Sequence, residues 1–323
     1  MPSSLGPIPV PSAGQSSSGY FTFAGDPQLA RYQWPYFSFA GAGPGPTFLL
    51  TAGIHAAEYT GIVAAIRLGR LLEPGDLKGT VVIVPLLNRG GFYERLIYVN
   101  PEDHDNMNRV FPGSPDGPWS ERFAYHLLNE VVVHADYAVD LHAGDMIEDL
   151  EPFVIYRQTG VADVDRRARE MVDAYGVRWA LKGEVSGERP GMLFAAAAER
   201  GVPAMIAESG RCGLLEEEAV ARHVRGVQNI LRRQGILAGA PAAVEPPHML
   251  SRFEWLRSEY EGIFLPRVRV SQTVAEGEPL GEMIDLLGNR LAEVSAPVGG
   301  IVLFTVTSPA IKQGGLLLGI GVD

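Results

Sequence analysis

Three short stretches of this chain hold residue types suited to metal chemistry. The first is His55-Ala-Ala-Glu58, which directly follows the apolar run 47–53 (TFLLTAG). A histidine and a glutamate three apart at a strand-to-helix turn can face one cavity, and both side chains bind zinc. Taken alone, such a pair equally describes a glutamate in a helix's first turn beside a surface histidine. The second stretch is 137–142 (YAVDLH): His142 ends a strand-like run, and Asp140 lies two residues earlier on the same strand face. The third, 203–210 (PAMIAESG), brings Glu208 to the end of another run. In parallel sheets the carboxyl ends of the strands border the ligand crevice. His55, Glu58 and His142 then make a two-histidine, one-glutamate set with an open position, the composition of a catalytic zinc site. Glu208 is left as a non-ligand acid/base. Asp140 reads either as the outer partner of a ligating histidine or as an ordinary strand-end residue.

These residues need strands to carry them, and the pattern supplies strands. The run 80–87 (TVVIVPLL) is β-branched with no polar alternation, which predicts burial on both faces. Strand-like runs at 47–53, 80–87, 137–144, 153–156 and 203–210 alternate with helical stretches. Those helices are expected from Gly61, over 119–134 with Ser120 as N-cap, over 162–176, from Pro190 to Gly201 and over 216–235. The alternation predicts an α/β domain, a mostly parallel mixed sheet flanked by helices. Residues 88–118 form a loop too long for a simple connector.

The chain divides into an N-terminal arm (1–45), a catalytic unit (46–240) and a small C-terminal unit (250–323), with the Pro- and Ala-rich stretch 241–248 as linker. The arm, rich in Pro, Ser and Gly, is expected to be loose. Within the last unit a weak repeat at an offset of 38 aligns Gly262-Ile263 with Gly300-Ile301 and Leu280-Gly281 with Leu318-Gly319. Two helix-free half-units predict a pseudo-symmetric all-β domain.

Among 323 residues, 27 Lys and Arg against 38 Asp and Glu leave a net charge of −11, with no basic cluster. Nucleic acid and anionic membrane are therefore not expected partners. The one cysteine, Cys212, cannot form an internal disulfide. No apolar run reaches the roughly 20 residues of a membrane span. With no basic residue before Arg31 and no apolar leader segment, the expected location is the cytoplasm. A homo-oligomer is compatible with this composition.

Four motifs in order, GIHAAE (53–58), NMNRVFPG (106–113), DLHAG (140–144) and AESG (207–210), give residues 45–235 a pattern that resembles the succinylglutamate desuccinylase/aspartoacylase family of the zinc carboxypeptidase-like superfamily. The resemblance implies one Zn2+ per chain held by His55, Glu58 and His142. It implies Glu208 as the carboxylate that exchanges protons with water and the leaving amine, and Asn108 and Arg109 as the pair that grips the substrate carboxylate. Arg95, in the same long loop, matches the oxyanion-stabilising arginine less securely. The substrate implied is a small N-acylated molecule. The family often has Gly and a polar residue between the first two ligands, where this chain has Ala56 and Ala57. The chemistry of the residues agrees: zinc lowers the pKa of a water it holds to about 7, a carboxylate can shuttle the proton, and a guanidinium fork suits a carboxylate.

Residues 255–323 resemble the biotinyl/lipoyl-like hammerhead β domain. Carrier versions modify a hairpin lysine, but the hairpin here offers Asn289 and Arg290, and Lys312 lies outside it. The domain is expected to shape the substrate entrance, with Tyr260 as a speculative contributor.

Three function classes are compatible with these residues: a deacylase of N-acyl amino acids, a carboxypeptidase acting on small peptides, and a non-catalytic metal-binding or small-molecule-binding protein. Glu208→Gln separates catalysis from binding. An enzyme keeps its zinc and loses turnover by roughly 10²–10⁴-fold, the worth of a positioned acid/base. Equal trace turnover in both proteins marks a binding protein.

Overall fold

The computed structural model describes residues 4–183 and 191–323. One nine-stranded mixed sheet organises the larger unit. In chain order its strands are β1 (Gln15–Phe21), β2 (Trp34–Ala40), β3 (Gly43–Ala52), β4 (Lys78–Val84), β5 (Tyr137–His142), β6 (Phe153–Tyr156), β7 (Trp179–Lys182), β8 (Ala204–Glu208) and β9 (His248–Leu250). Across the sheet the order is β9-β7-β6-β8-β5-β3-β4-β2-β1. The central strands β8, β5, β3 and β4 are mutually parallel, while β6 runs antiparallel to β8 and β2 antiparallel to β4.

The apolar runs become central strands because helices cover both faces. On β4, Val82 and Val84 pack into one core, and Val81 and Ile83 into the other. The helices are α1 (Tyr59–Leu71), the short α2 (Arg89–Glu94), α3 (Trp119–His126), α4 (Ala162–Tyr175), α5 (Leu193–Glu199) and α6 (Glu217–Arg233). α1, α4 and α6 pack together over one face, and α3 and α5 supply the other core. The expected helix from Pro190 begins outside the described residues. Ser120 is not the cap of α3: Pro118 holds that position, and Asp103 accepts the Ser120 backbone N–H (2.7 Å) and hydroxyl (2.9 Å). A carboxylate from the preceding loop thus serves the helix start, where negative charge is favoured.

The N-terminal segment is ordered into the fold instead of lying loose. β1 and β2 extend the sheet, and Phe21, Phe23 and Trp34 join Phe123 in an aromatic cluster. The Trp34 indole donates to the Leu87 carbonyl at 2.9 Å. The Ser- and Gly-rich composition concealed two strands whose buried residues are mainly the intervening aromatics.

The C-terminal unit is two small sheets. Strands Arg252–Arg257, Leu316–Val322, Gly300–Val306 and Thr273–Val274 form one, and Arg290–Ser295, Pro279–Ile284, Gly262–Pro266 and Ala310–Ile311 the other. Each sheet repeats the other's strand order about 38 residues away, so the weak sequence repeat corresponds to structural pseudo-symmetry. A short strand after β5, Glu148–Leu150, pairs antiparallel with Gly300–Val306 and joins the two units. Among the described residues no helix is long and apolar enough to cross a membrane.

If residues 15–40 are structural, Trp34→Ala should destabilise the chain by about 3–5 kcal/mol, the usual cost of truncating a buried large aromatic. Chemical denaturation reads this directly; a change below about 0.5 kcal/mol is what a surface position would show.

Candidate active site

β8, β5 and β3 lie side by side, and their carboxyl ends carry Glu208, His142 and the His55 loop. Gly53 turns the chain out of β3 with φ of +66°; a Cβ there would come within 2.8 Å of Leu86 and 2.9 Å of Ile62. The turn sets His55 and Glu58 above the end of β5. Glu58 sits at the N-cap of α1, yet its side chain does not cap the helix. It reaches the two imidazoles instead: Oε1 is 2.7 Å from His55 Nδ1, and Oε2 is 2.9 Å from His142 Nδ1. Oε2 also accepts the Ala143 N–H at 3.1 Å. All three side chains are buried, and they present one ligand atom each within 4.8 Å of the others, a group that could hold a metal ion.

The outer nitrogens indicate how this group is protonated. His142 Nε2 lies 2.9 Å from Asp140 Oδ2, whose other oxygen accepts the Thr51 hydroxyl at 2.7 Å. His55 Nε2 lies 3.1 Å from Asn106 Oδ1, an oxygen that also accepts the Asn108 N–H at 2.9 Å. A neutral imidazole has one N–H, and here an oxygen acceptor faces each Nε2. Protons placed on Nε2 leave both Nδ1 lone pairs facing Glu58, the arrangement a metal cation requires. Without a cation the same contacts are held by protons. Burial works against charge on Glu58, but His142 and His55 outweigh it and bring its pKa down to about 2. Burial also works against charge on His142, and the Glu58 and Asp140 carboxylates raise its pKa well above the ordinary value. The donor set therefore fits a divalent cation such as zinc.

Glu208 pairs in register with His142 across β8 and β5. Its Oε2 is buried and has no hydrogen-bond partner among the described residues. Burial, reinforced by the nearby Glu58, Glu148 and Asp140 carboxylates, raises its pKa well above the usual carboxylate range. Asn108 is buried; its Oδ1 accepts the Leu193 N–H at 2.9 Å, and its Nδ2 lies 3.4 Å from His142 Nε2. Arg109 is exposed. Desolvation lowers its pKa, opposed by Glu58, Glu148 and Glu208. One guanidinium nitrogen donates to the Asn108 carbonyl at 2.8 Å. Arg95 ends α2 in the left-handed conformation (φ 57°) and is exposed. Tyr260 is also exposed.

Several site residues went unsingled in the sequence. Asn106, the first residue of the NMNR motif, orients His55. Tyr98 sets its ring edge-on to His55, with centroids 5.8 Å apart, and donates its hydroxyl to Glu148 Oε1 at 2.6 Å. Asp145 accepts the Tyr98 N–H at 3.2 Å. Burial first, then Glu58, brings the Asp145 pKa up to about 6; burial above all brings that of Glu148 up to about 7. Only the closeness of DLHAG to D-x-x-E could have flagged them. Tyr98 and Ile147 also line a cleft of about 720 Å³ whose other wall is C-terminal, including Gly262, Leu286, Val306 and Lys312. Behind the site, burial lowers the pKa of His223 to about 4, so this ring is neutral.

A sequence profile of the succinylglutamate desuccinylase/aspartoacylase catalytic domain matches residues 44–233, more than half of the chain. The chain belongs to that family. It is 32% identical over 258 residues to the N-alpha-acetyl-L-2,4-diaminobutyric acid deacetylase of Halomonas elongata, covering 78% of this chain and 74% of that one. Among solved structures it is similar to the product-bound ectoine utilization protein EutE (DoeB) of Ruegeria pomeroyi. That match has a TM-score of 0.87 and 27% identity, covering 98% of both chains. A succinylglutamate desuccinylase of Silicibacter sp. TM1040 gives a TM-score of 0.83 at 26% identity, covering 97% of both.

Asn106→Ala removes the acceptor on His55 Nε2 without touching any side chain of the metal-binding group. Zinc affinity should fall about 10–100-fold, the cost of losing an outer partner of a metal ligand. Competition with a chromogenic chelator measures it, and unchanged affinity would remove Asn106 from the site.

Proposed function

We propose that this family member is a zinc-dependent deacylase that hydrolyses the amide of an Nα-acyl amino acid. The observation that carries the reading is Glu208: a half-buried side chain whose buried Oε2 has no partner among the described residues, one strand away from a two-histidine, one-glutamate group whose outer nitrogens both face oxygen acceptors. His55, Glu58 and His142 would hold the zinc. When bound it supplies Lewis acidity, which activates water and polarises the scissile carbonyl.

The remaining work falls to side chains. Glu208 Oε2 takes the proton from the attacking water and passes it to the departing amine; its raised pKa suits a group that must both accept and donate near neutrality. Arg109 binds the substrate carboxylate with its guanidinium fork, and Asn108 Nδ2 assists. Arg95 takes the oxyanion role in this reading. The C-terminal domain walls the cleft beside Tyr98 and selects what enters.

The substrate side chain is read from Asp145 and Glu148. These buried carboxylates with Tyr98 favour a cationic side chain over an anionic one, since a like charge would raise the cost of burial. That agrees with the diaminobutyric acid derivative named for the Halomonas elongata relative. A panel tests it: Nα-acetyl-2,4-diaminobutyrate should be cleaved faster than N-acetylaspartate or N-succinylglutamate by zinc-loaded protein. Preference for an acidic substrate would overturn the cationic assignment, and release of C-terminal residues from peptides would favour a carboxypeptidase.

Arg109→Ala should cost about 1.5–3 kcal/mol in kcat/KM, the range for hydrogen bonds to a charged group. Arg109→Lys should recover only part of it, because an ammonium lacks the bidentate geometry. Zinc content should stay unchanged in both. An Arg109→Ala variant that discriminates charged from amidated substrates as well as the parent would remove Arg109 from carboxylate binding.

A further inference from the structure

The deacylase reading makes no use of one buried pair, Tyr175 on α4 and His223 on α6. His223 Nε2 lies 3.0 Å from the backbone carbonyl oxygen of His142 and 3.1 Å from that of Ser209. Ser209 follows Glu208 and donates its own N–H to the His142 carbonyl at 3.1 Å. The Ser209 carbonyl also accepts the Thr60 hydroxyl of α1 at 2.6 Å. On the other side of the ring, Tyr175 Oη lies 2.6 Å from His223 Nδ1. Both side chains are buried, with His223 fully enclosed and Tyr175 at 3% exposure. No bulk water is available to replace these bonds.

The two carbonyls belong to the ends of β5 and β8. One follows the side chain of a metal-binding histidine, and the other comes directly after the proton-shuttling glutamate. Each carbonyl already accepts one hydrogen bond, from the Ser209 N–H and the Thr60 hydroxyl respectively, and His223 takes the second lone pair of each. A single imidazole N–H shared between them fixes the spacing of the two strand ends. That N–H must be on Nε2. A neutral imidazole has one proton, and an acceptor Nδ1 is what the Tyr175 hydroxyl can donate to. The two carbonyls, which only accept, select this tautomer, and the Tyr175 hydroxyl donates to the lone pair it leaves on Nδ1.

We propose that His223, held in its Nε2–H tautomer by the two strand-end carbonyls and seated by the Tyr175 hydroxyl, is a positioning residue that sets the distance between His142 and Glu208. It touches neither substrate nor metal and acts through the backbone of both residues. The inference rests on the deacylase reading for its catalytic arm, whereas its metal-binding arm stands without a substrate.

The test uses the full chain with three variants: His223→Leu, which removes the donor; His223→Gln, whose amide nitrogen can donate from a similar position; and Tyr175→Phe, which removes the partner of Nδ1 and loosens the seat of the ring. For His223→Leu, zinc affinity from chelator competition and kcat should each fall about 10–100-fold, the range for outer partners of a metal site. KM should change far less, since loss confined to the transition state appears in kcat. His223→Gln should recover most of both quantities. Tyr175→Phe should lie between, and nitrogen NMR of the wild-type imidazole should show the single Nε2–H form.

A structural filler would behave differently. Its removal would lower the melting temperature but leave kcat and zinc affinity per folded molecule at wild-type values, and that result overturns the proposal. It is equally overturned if His223→Gln is as impaired as His223→Leu. Should His223→Leu fail to fold, Tyr175→Phe and His223→Gln decide the matter: an intermediate loss in the first with recovery in the second supports the clamp, and wild-type values in Tyr175→Phe reject it. Wild-type protein that binds no zinc or cleaves no acyl-amino acid would refute the deacylase reading itself, a different result from variants that match an active wild type.

Discussion

A carboxylate buried between two imidazoles is the constraint from which the rest of this site follows. Glu58 is almost fully enclosed, and an unpaired carboxylate in that position would cost several kcal/mol or more. It is held by one imidazole from its own loop, a second from the neighbouring strand β5, and the Ala143 N–H. Both oxygens can be satisfied only if β3 and β5 are adjacent, parallel and in register. The pairing of Thr51 with Asp140 provides that register, and their side chains then meet to orient His142 from behind. The same enclosure suits the group to a divalent cation, whose charge would offset the cost of burying the carboxylate.

The long loop 88–118 closes the site from the opposite side and is ordered by its own polar residues. Asn88 accepts the Gly91 N–H and donates to the Val99 carbonyl, and Asn100 and Asp103 tie the loop to Ser120 at the start of α3. These bonds deliver four side chains to one cleft: Tyr98 against His55, Asn106 on its outer nitrogen, and Asn108 and Arg109 beside His142 and the acidic groups. The C-terminal sheets complete the enclosure through the strand Glu148–Leu150. That segment thus holds Glu148 against Tyr98 while its backbone pairs with the second unit.

Much of the sheet was legible because parallel central strands are apolar on both faces, and 47–52, 80–84 and 137–142 are such runs. The end of the last of these marked His142, and the end of the run 203–210 marked Glu208. The N-terminal strands were not legible. Ser16, Ser17 and Ser18 on β1 read as loop residues, and their place in the sheet depends on pairing with Phe37, Ser38 and Phe39 across β2. β7 and β9 were equally hidden, since strands of three or four residues are specified by neighbours more than by their own pattern. The 38-residue repeat was faint in sequence yet corresponds to two sheets of matching strand order, because packing preserves glycine and apolar positions and little else.

By itself the sequence determined the chemistry on offer: two histidines and two glutamates at strand ends, an Asn-Arg pair in a long loop, no basic surface and no lysine in the C-terminal hairpin. It determined these because residue type and strand periodicity are local properties. Tertiary structure alone decided which oxygen faces which nitrogen. Asn106 orients His55 across 51 residues of chain, His223 bridges the ends of β5 and β8 from α6, and Asp145 and Glu148 are drawn in beside Tyr98. Hydrogen bonds depend on distances of a few tenths of an ångström and on the burial of both partners. Neither quantity exists until the helices and sheet have packed.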